Sequence, residues 1–431
     1  MVETSGSSPQ RSPAPGASAQ PSASLVSPIS ATEVTQLSIA ERDRRWARVR
    51  RGMAEEGIAL LLAPTHTGHW AQFQADVRYL TQLAPNMYEC FAVFPAESEV
   101  TAITRMAAHA PWLHDSYQWV GDVRALGTRT WSVAVIERMH ELGFDESSQE
   151  RVGVIGRRQW MPRSPEGIIR YDTMVRLMEA FPKVDWVNAT PLMNHLRSVK
   201  SPEEIACHER AGAIADKAVE AMIEHARPGI PAQTVWAHMH AAMLLAGGEY
   251  PSMINWDMRQ DLSAFARHPT YRLLEPNDFS LNEIEGKHNG YVHHTLHPAY
   301  LGKAPDNYHR TYEAAYEAFE AACAAARPGN TTADMARAAE AVFARRGLEG
   351  QFAMLGRGLG EDGPHMTVHG PNGEQPTPLE AGQVFAIRPV TGDIGATGRR
   401  FRMWMGDTCV VTPDGARRLS AHPMELTEIP C

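Results

Sequence analysis

The sequence predicts an α/β protein of two domains, the second of which is built from two matched halves. Three observations support this prediction: the length of 431 residues, an alternation of helical and strand-like stretches in the first part, and one helix pair that occurs twice in the second part. A chain of this length is long enough for two domains. Alternation of helices and strands is typical of layered α/β folds.

The amino-terminal part divides into a tail and a first domain. Residues 1–35 are rich in Ser, Pro, Ala, Gly and Gln and lack a basic start followed by an apolar core, so we expect a disordered tail and not a signal peptide. Residues 36–195 form the predicted α/β domain. Its periodicity indicates helices over 38–58 and 131–142 and strands over 58–62, 75–81, 91–95, 100–104 and 151–156.

The second domain, residues 196–431, contains the repeated helix pair. Ser201 is suited to cap a helix over 202–226, with Pro202 at its first position and Glu204 closing a capping box. The segment Ala-Arg-Pro-Gly then separates this helix from one over 231–245. The same four residues separate predicted helices over 308–326 and 332–346, and strand-like sequence follows each pair. The repeat predicts a pseudo-twofold α/β domain with a cleft between its halves.

The composition narrows the classes of binding partner that can be expected. The formal charge is -9 and the pI about 6.1, which argues against nucleic acid or an anionic membrane surface as the main partner, because a net acidic surface attracts neither. There is no apolar run of the length that spans a membrane. The five cysteines include no C-x-x-C pair, which indicates reduced thiols and a cytoplasmic protein. We expect a small-molecule substrate.

The densest group of titratable residues lies in the stretch 283–300. A hairpin around Gly290 and Tyr291 would place Glu283 and Glu285 on one face, because alternate residues of a strand share a face. His293 and His297 would also point together if no bulge intervenes. The stretch also contains His288 and His294. From these residues alone, a polar hairpin at the surface is an equally acceptable interpretation.

The second domain resembles the pita-bread family of creatinase, prolidase, aminopeptidase P and methionine aminopeptidase. The resemblance covers residues 38–425 and depends on the paired Ala-Arg-Pro-Gly helix hairpins and the order of the later motifs. Arg197-Ser-Val-Lys-Ser-Pro-Glu-Glu-Ile205 is similar to the R-x-x-K-S-x-x-E-I segment at the start of the family's catalytic domain. Residues 75–81 resemble a strand of the amino-terminal domain of two-domain members. The resemblance implies a creatinase-like first domain, a pita-bread catalytic domain and a homodimer.

The metal-binding members of the family hold a pair of divalent cations with two aspartates, a histidine and two glutamates. The resemblance places other residues at these positions: Glu283, His294, Arg357, Arg388 and Gly406. A guanidinium cannot become a ligand, and at roughly 4 Å and an effective dielectric near 20 it repels each unit of positive charge by about 4 kcal/mol. We therefore expect no metal and no cofactor. Arg357 and Arg388 are instead predicted to bind a substrate carboxylate.

Creatinase is the precedent in this fold for hydrolysis without a metal, with a histidine as acid and base. The corresponding region is Ala266-Arg267-His268-Pro269, which makes His268 the predicted catalytic base. Glu283 is the second predicted catalytic residue. The predicted substrate-binding residues are, besides the two arginines, His294, His365, Glu285 and Arg78, the last because creatinase lends an arginine from a similar position across its dimer.

These expectations together describe a metal-independent hydrolase that cleaves a C–N bond in a small carboxylated substrate. Three alternatives stay open: a metal-dependent Xaa-Pro peptidase, a lyase acting on a small acidic substrate, and a non-catalytic binding protein of the same fold. For the first, a single zinc or iron ion held by residues of the Glu/His cluster is the alternative metal site. That cluster consists of Glu283, Glu285, His293, His294, His297 and His365.

Overall fold

The computed structural model describes residues 35–65, 75–83, 89–158, 166–250, 253–264, 270–360 and 376–431. The helices in these ranges are α1 Ile39–Glu56, α2 Ala75–Thr81, α3 His109–Ser116, α4 Trp131–Glu141, α5 Tyr171–Ala180, α6 Thr190–Ser198, α7 Pro202–His225, α8 Ala232–Leu245, α9 Asp306–Ala325 and α10 Thr332–Arg346. The strands are β1 Ile58–Ala63, β2 Cys90–Pro95, β3 Thr101–Thr104, β4 Asp122–Ala125, β5 Arg151–Val154, β6 Asp185–Asn188, β7 Ile254–Arg259, β8 Phe279–His288, β9 Tyr291–Thr295, β10 Ala299–Leu301, β11 Gly350–Gly356, β12 Val384–Ile394, β13 Arg400–Trp404, β14 Asp407–Thr412, β15 Gly415–Arg418 and β16 Thr427–Ile429.

A mixed six-stranded sheet of order β4-β3-β2-β1-β5-β6 forms the centre of the amino-terminal region. β1 pairs antiparallel with β2 and parallel with β5. Apolar side chains line both faces of the central strands, where Leu61 packs with α1 and α2 and Leu60 packs with α4. The α/β character predicted for this region is confirmed.

The strand predicted over residues 75–81 is wrong, because this segment is helix α2. All seven of its residues are buried, so the segment has no polar face to mark a helical period. A short run that is buried on every side cannot be assigned to a helix or a strand from its periodicity. Hydrogen bonds between residues four positions apart are typical of a helix. Gln82 N donates to the Arg78 carbonyl at 2.8 Å, and Thr81 Oγ1 donates to the Val77 carbonyl at 2.7 Å.

The second region has the predicted two halves. In the first half α7 and α8 lie against β7, β8 and β9, and in the second α9 and α10 lie against β11, β12 and β13. Ser201 and Glu204 form the predicted capping box at the start of α7. The two five-stranded sheets have the orders β16-β10-β8-β7, with β9 on β8, and β11-β12-β14-β15, with β13 on β12.

A buried polar network joins the two regions close to the β8–β9 turn. Arg45 of α1, which is 0% exposed, donates to the Tyr291 hydroxyl at 2.6 Å. That hydroxyl donates in turn to Glu204 at 2.9 Å, so the residue that caps α7 also fixes the start of β9. Among the described residues, no helix is long and apolar enough to cross a membrane.

Candidate active site between the two halves

Strand β8 has one face against helix α7 and one face toward the second half of the domain. Gly286 lies on the helix side, where a Cβ atom would be 2.1 Å from the Ala211 carbonyl oxygen. Glycine is therefore required for this close approach. Residues alternate between faces, so Glu283 and Glu285 point together to the opposite side, as predicted.

The hairpin register places His294 beside Glu285. The turn consists of Asn289 and Gly290, both with positive φ, and not of Gly290 and Tyr291 as expected. In the register that follows, Glu285 lies opposite His294 and Gly286 opposite His293. Residues directly opposite share a face. His294 therefore joins the two glutamates, whereas His293 points toward α7.

The second half contributes two arginines to these carboxylates. Arg357 directly follows β11, and its Nη2 lies 3.0 Å from Glu285 Oε1 and 3.0 Å from His294 Nδ1. Arg388 of β12 donates to Glu283 Oε1. Residues of two separate sheets thus form two ion pairs side by side.

Asn255 and His294 make the remaining described contacts of the two glutamates. The Asn255 side-chain amide donates to Glu283 Oε2 at 2.9 Å, and His294 Nδ1 lies 3.0 Å from Glu285 Oε1. Glu285, His294 and Arg357 are each at most 2% exposed. Glu283 and Arg388 retain 15% and 13% of their side-chain exposure, so solvent reaches the group from their end.

Burial and the two arginines determine the charges. Burial, followed by the charges of Arg357 and Arg388, holds the pKa of His294 well below its ordinary value, so the imidazole is neutral. Burial opposes ionisation of Glu283, but its neighbours outweigh burial and its pKa is lowered. Because His294 is neutral, we attribute this lowering to Arg388 and the Asn255 amide. In the described chain His294 Nε2 is buried without a hydrogen-bond partner.

Not every predicted site residue lies in this group. Arg78 lies at the far end of the hairpin, bonded to Glu249 at 3.1 and 3.2 Å and to Asn289 at 3.3 Å. His268 and His365 lie outside the described residues. The Leu262 carbonyl accepts a bond from the Arg402 amide at 3.0 Å, so Leu262 is attached to strand β13.

The remaining histidines of the cluster are directed elsewhere. His293 Nε2 is 2.6 Å from Asp407 Oδ1, and His297 Nε2 is 2.7 Å from the Thr427 hydroxyl. Strand β9 ends at Thr295, before His297, so the uninterrupted hairpin on which the expected shared face depends does not extend to His297. Neither histidine is bonded to Glu283, although the alternative single-metal site requires them to converge on it.

The residues that the resemblance places at or beside the family's metal positions do not fit a pair of divalent cations. Glu283 and Glu285 are engaged by guanidinium groups, which repel cations. Gly406 supplies no ligand, and a Cβ atom there would lie 2.2 Å from the Ile387 carbonyl oxygen. Within the described residues, no group of three or more His, Cys, Asp or Glu side chains is placed to hold a metal ion.

Three residues near this group, Trp404, Arg402 and Asn255, were not predicted from the sequence. Trp404 of β13 has its ring centroid 5.9 Å from Arg388 Cζ and 5.2 Å from Arg402 Cζ. The spacing from Gly406 could have indicated the two residues of β13. Trp404 comes two residues before Gly406, and Arg402 is the next residue on the same strand face. Asn255 was also missed, because its place opposite Glu283 depends on the register of β7 and β8.

Comparison with known proteins identifies the family. The family model "Metallopeptidase family M24" matches residues 206–413, which include both halves and the four charged residues of the two ion pairs. Over these residues the chain belongs to the M24 family, and its fold is the pita-bread fold. This M24 protein is similar to solved structures over its described domains: an X-Pro aminopeptidase from Thermotoga maritima has a TM-score of 0.71 at 15% identity, over 89% of this chain and 99% of the other. A prolidase from Pyrococcus horikoshii has a TM-score of 0.70 at 19% identity, with the same coverage.

Curated relatives of the M24 protein include enzymes of different names. An Xaa-Pro dipeptidase from Lactobacillus helveticus is 28% identical over 261 residues, which is 58% of this chain and 67% of that protein. An ectoine hydrolase from Halomonas elongata is 26% identical over 267 residues, which is 58% of this chain and 65% of that protein. The matches thus span about two thirds of these relatives. The predicted fold and the predicted assignment to a family of hydrolases are confirmed.

Proposed function

We propose that this M24 protein is a metal-independent hydrolase that cleaves a C–N bond in a small carboxylated substrate. One observation carries the proposal: the arginines that the resemblance places at two of the family's metal positions form ion pairs with the carboxylates on β8. These are Arg357 with Glu285 and Arg388 with Glu283. Two positive charges in the place of two cations supply electrostatic stabilisation without a metal.

The proposed chemistry uses a histidine to transfer protons. His268, at the position of creatinase's catalytic histidine, takes a proton from water, and the resulting hydroxide attacks the carbon of the C–N bond. The same histidine then gives the proton to the departing nitrogen. Glu283, at the more open end of the group, orients the polar part of the substrate. His294 is neutral, and its Nδ1 lies 3.0 Å from both Glu285 and Arg357, so it either donates to the carboxylate or accepts from the guanidinium.

The relatives support a hydrolase and leave the substrate class open between peptides and other small molecules. Xaa-Pro dipeptidases and an ectoine hydrolase both match at 26–28% identity. The arginines in the metal positions favour the non-peptide branch, because the peptidase alternative requires a metal that these residues do not fit. We further propose that the protein is cytoplasmic, because its cysteines indicate reduced thiols, and homodimeric, as the resemblance to creatinase implies. Light scattering of the purified protein would test the dimer.

The test combines metal content with turnover. Plasma mass spectrometry of the purified full chain, before and after dialysis against a chelator, is expected to find zinc, manganese, iron and cobalt well below one equivalent. A screen of carboxylated amides, guanidines and ureas is expected to find a substrate whose turnover the chelator leaves unchanged. One or two equivalents of tightly bound metal, with activity lost on its removal, would overturn the proposal.

Two further measurements define the reaction. The variant His268→Asn should lose turnover, whereas His114→Asn, at an exposed position of the first domain, should keep it. Both variants should retain the wild-type circular dichroism spectrum. Reaction in isotopically labelled water should place solvent oxygen in the product. An unsaturated product without that oxygen would indicate the lyase alternative, and tight binding without turnover would indicate a binding protein.

A further inference from the structure

Strand β13 presents a second cationic and aromatic surface next to the ion pairs. Trp404 lies opposite Val390 and Arg402 lies opposite Gly392 in the register of β12 and β13. Phe401 and Met403, the alternate residues, are buried in the core beneath α9. Trp404 and Arg402 therefore face away from that core, on the same side as Arg388.

Arg402 differs from the two arginines of the ion pairs. In the part of the chain that the structure describes, no carboxylate lies within ion-pairing distance of its guanidinium, and its close neighbour is the ring of Trp404 at 5.2 Å. The residue opposite it, Gly392, has no side chain that could pair with it. By contrast, Arg357 and Arg388 are each paired with a carboxylate, that of Glu285 and that of Glu283.

The surroundings of Arg402 disfavour its charge. Partial burial, followed by the charge of Arg400, lowers the pKa of Arg402 below its ordinary value. A guanidinium stays protonated in proteins, so this shift expresses an uncompensated positive charge. An anion at this position would remove the unfavourable interaction and form charge-assisted hydrogen bonds.

We propose that Arg402 and Trp404 form the subsite that recognises the substrate, with Arg402 binding its carboxylate and Trp404 stacking on an adjoining planar or apolar portion. This inference rests on the proposed function and reassigns the carboxylate from Arg357 and Arg388 to Arg402. The subsite is continuous with the ion pairs, because the Trp404 ring lies 5.9 Å from Arg388, the partner of Glu283. The Arg402 backbone amide also donates to the Leu262 carbonyl at 3.0 Å.

The test is calorimetric titration of the full chain with benzoate, which carries a carboxylate on a planar ring, and with neutral benzamide. Benzoate should bind the wild type, and Arg402→Gln should weaken it about tenfold or more, as expected for the loss of a charge-assisted contact. Benzamide binding should change little in this variant. Trp404→Leu should weaken both ligands, because both stack on the indole.

Arg400→Gln is the matched control, because Arg400 lies on the same strand, is 48% exposed and pairs with Glu349 at 2.7 Å. It should leave both affinities within about twofold of the wild type. Arg402→Lys should give an intermediate loss, because an ammonium keeps the charge without the fork of donors. Circular dichroism of every variant verifies folding.

Three results would overturn the subsite: no benzoate binding by the wild type, unchanged benzoate binding in Arg402→Gln, or an equal loss in Arg400→Gln. These results are separable from a failure of the hydrolase proposal, since the titration involves no turnover. A wrong subsite would leave the effect of His268→Asn on turnover intact. A wrong reaction class would leave the benzoate titrations intact.

Discussion

Arg357 and Glu285 form an ion pair at 3.0 Å although their side chains are only 1% and 3% exposed. Such a pair holds the two halves of the domain together across the site, because Glu285 belongs to β8 and Arg357 follows β11. Removal of one partner leaves the other as a buried charge, which is more costly than removal of both. Comparison of a single variant with the double variant therefore tests the contribution of this ion pair to stability.

The variant Arg357→Met should lower the free energy of unfolding by about 3–5 kcal/mol, because Glu285 loses its buried counter-charge. The double variant Arg357→Met with Glu285→Gln should lower it less than the single variant. Denaturant titration measures both. The exposed pair of Arg417 and Glu209, at 2.9 Å, is the control, and Arg417→Met should cost less than about 1 kcal/mol. Equal losses at the two arginines would contradict the role of the buried pair.

His297 should make the protein sensitive to acid. Burial, assisted by the charges of His422 and Arg418, lowers its pKa to about 3 in the folded protein. The unfolded imidazole has a pKa of about 6.5, so between these values the unfolded state binds the extra proton and stability falls as the pH falls.

The variant His297→Gln should therefore show a shallower pH dependence. Between about pH 6 and pH 4 its free energy of unfolding should fall less steeply than that of the wild type, by about 1.4 kcal/mol per pH unit. Urea titrations at several pH values measure the slope. His309→Gln, at a histidine that is 43% exposed, should keep the wild-type slope. Parallel curves for the wild type and His297→Gln would rule out this contribution.

Gly286 should be intolerant of even a methyl group. A Cβ atom at this position meets the Ala211 carbonyl oxygen at 2.1 Å and the Ala215 amide nitrogen at 2.7 Å, and both belong to the backbone of α7. Gly286→Ala should destabilise the protein by about 1–3 kcal/mol or more and reduce turnover, because β8 carries Glu283 and Glu285. Thermal unfolding and the substrate assay test this. Ile284→Val, on the same face, should keep most of the activity.

Arg78 should act on the site through the hairpin turn. Its two bonds to Glu249 lie beside the bonds from the Gly290 amide to the same carboxylate, at 3.1 Å. Arg78→Met should lower the free energy of unfolding by about 3 kcal/mol, because Glu249 loses its counter-charge. Arg78→Lys should lower it less, because the ammonium keeps the charge but cannot form the same fork of hydrogen bonds. A loss of turnover in Arg78→Lys at full stability would instead support the substrate-binding role predicted for Arg78.

Local signals were sufficient for the helix pairs of the second domain. The capping residues Ser201 and Glu204, the Ala-Arg-Pro-Gly breaks and the apolar period each involve neighbours in the sequence, so they predicted α7 to α10 closely. The motif positions also placed Glu283, His294, Arg357 and Arg388 in one site. For residues 75–81 the local signal was ambiguous, because burial on every side removed the period that distinguishes a helix from a strand.

The sequence by itself therefore predicted the fold, and its resemblance to the family indicated which residues stand at the positions of the family's metal ligands. The tertiary structure decided how those residues pair. Arg388 and Glu283 are separated by 105 positions and Arg357 and Glu285 by 72, and they meet because two sheets pack with particular registers. The same packing left Arg402 without a described carboxylate partner, since charge balance at a site depends on distances between strands and not on order along the chain.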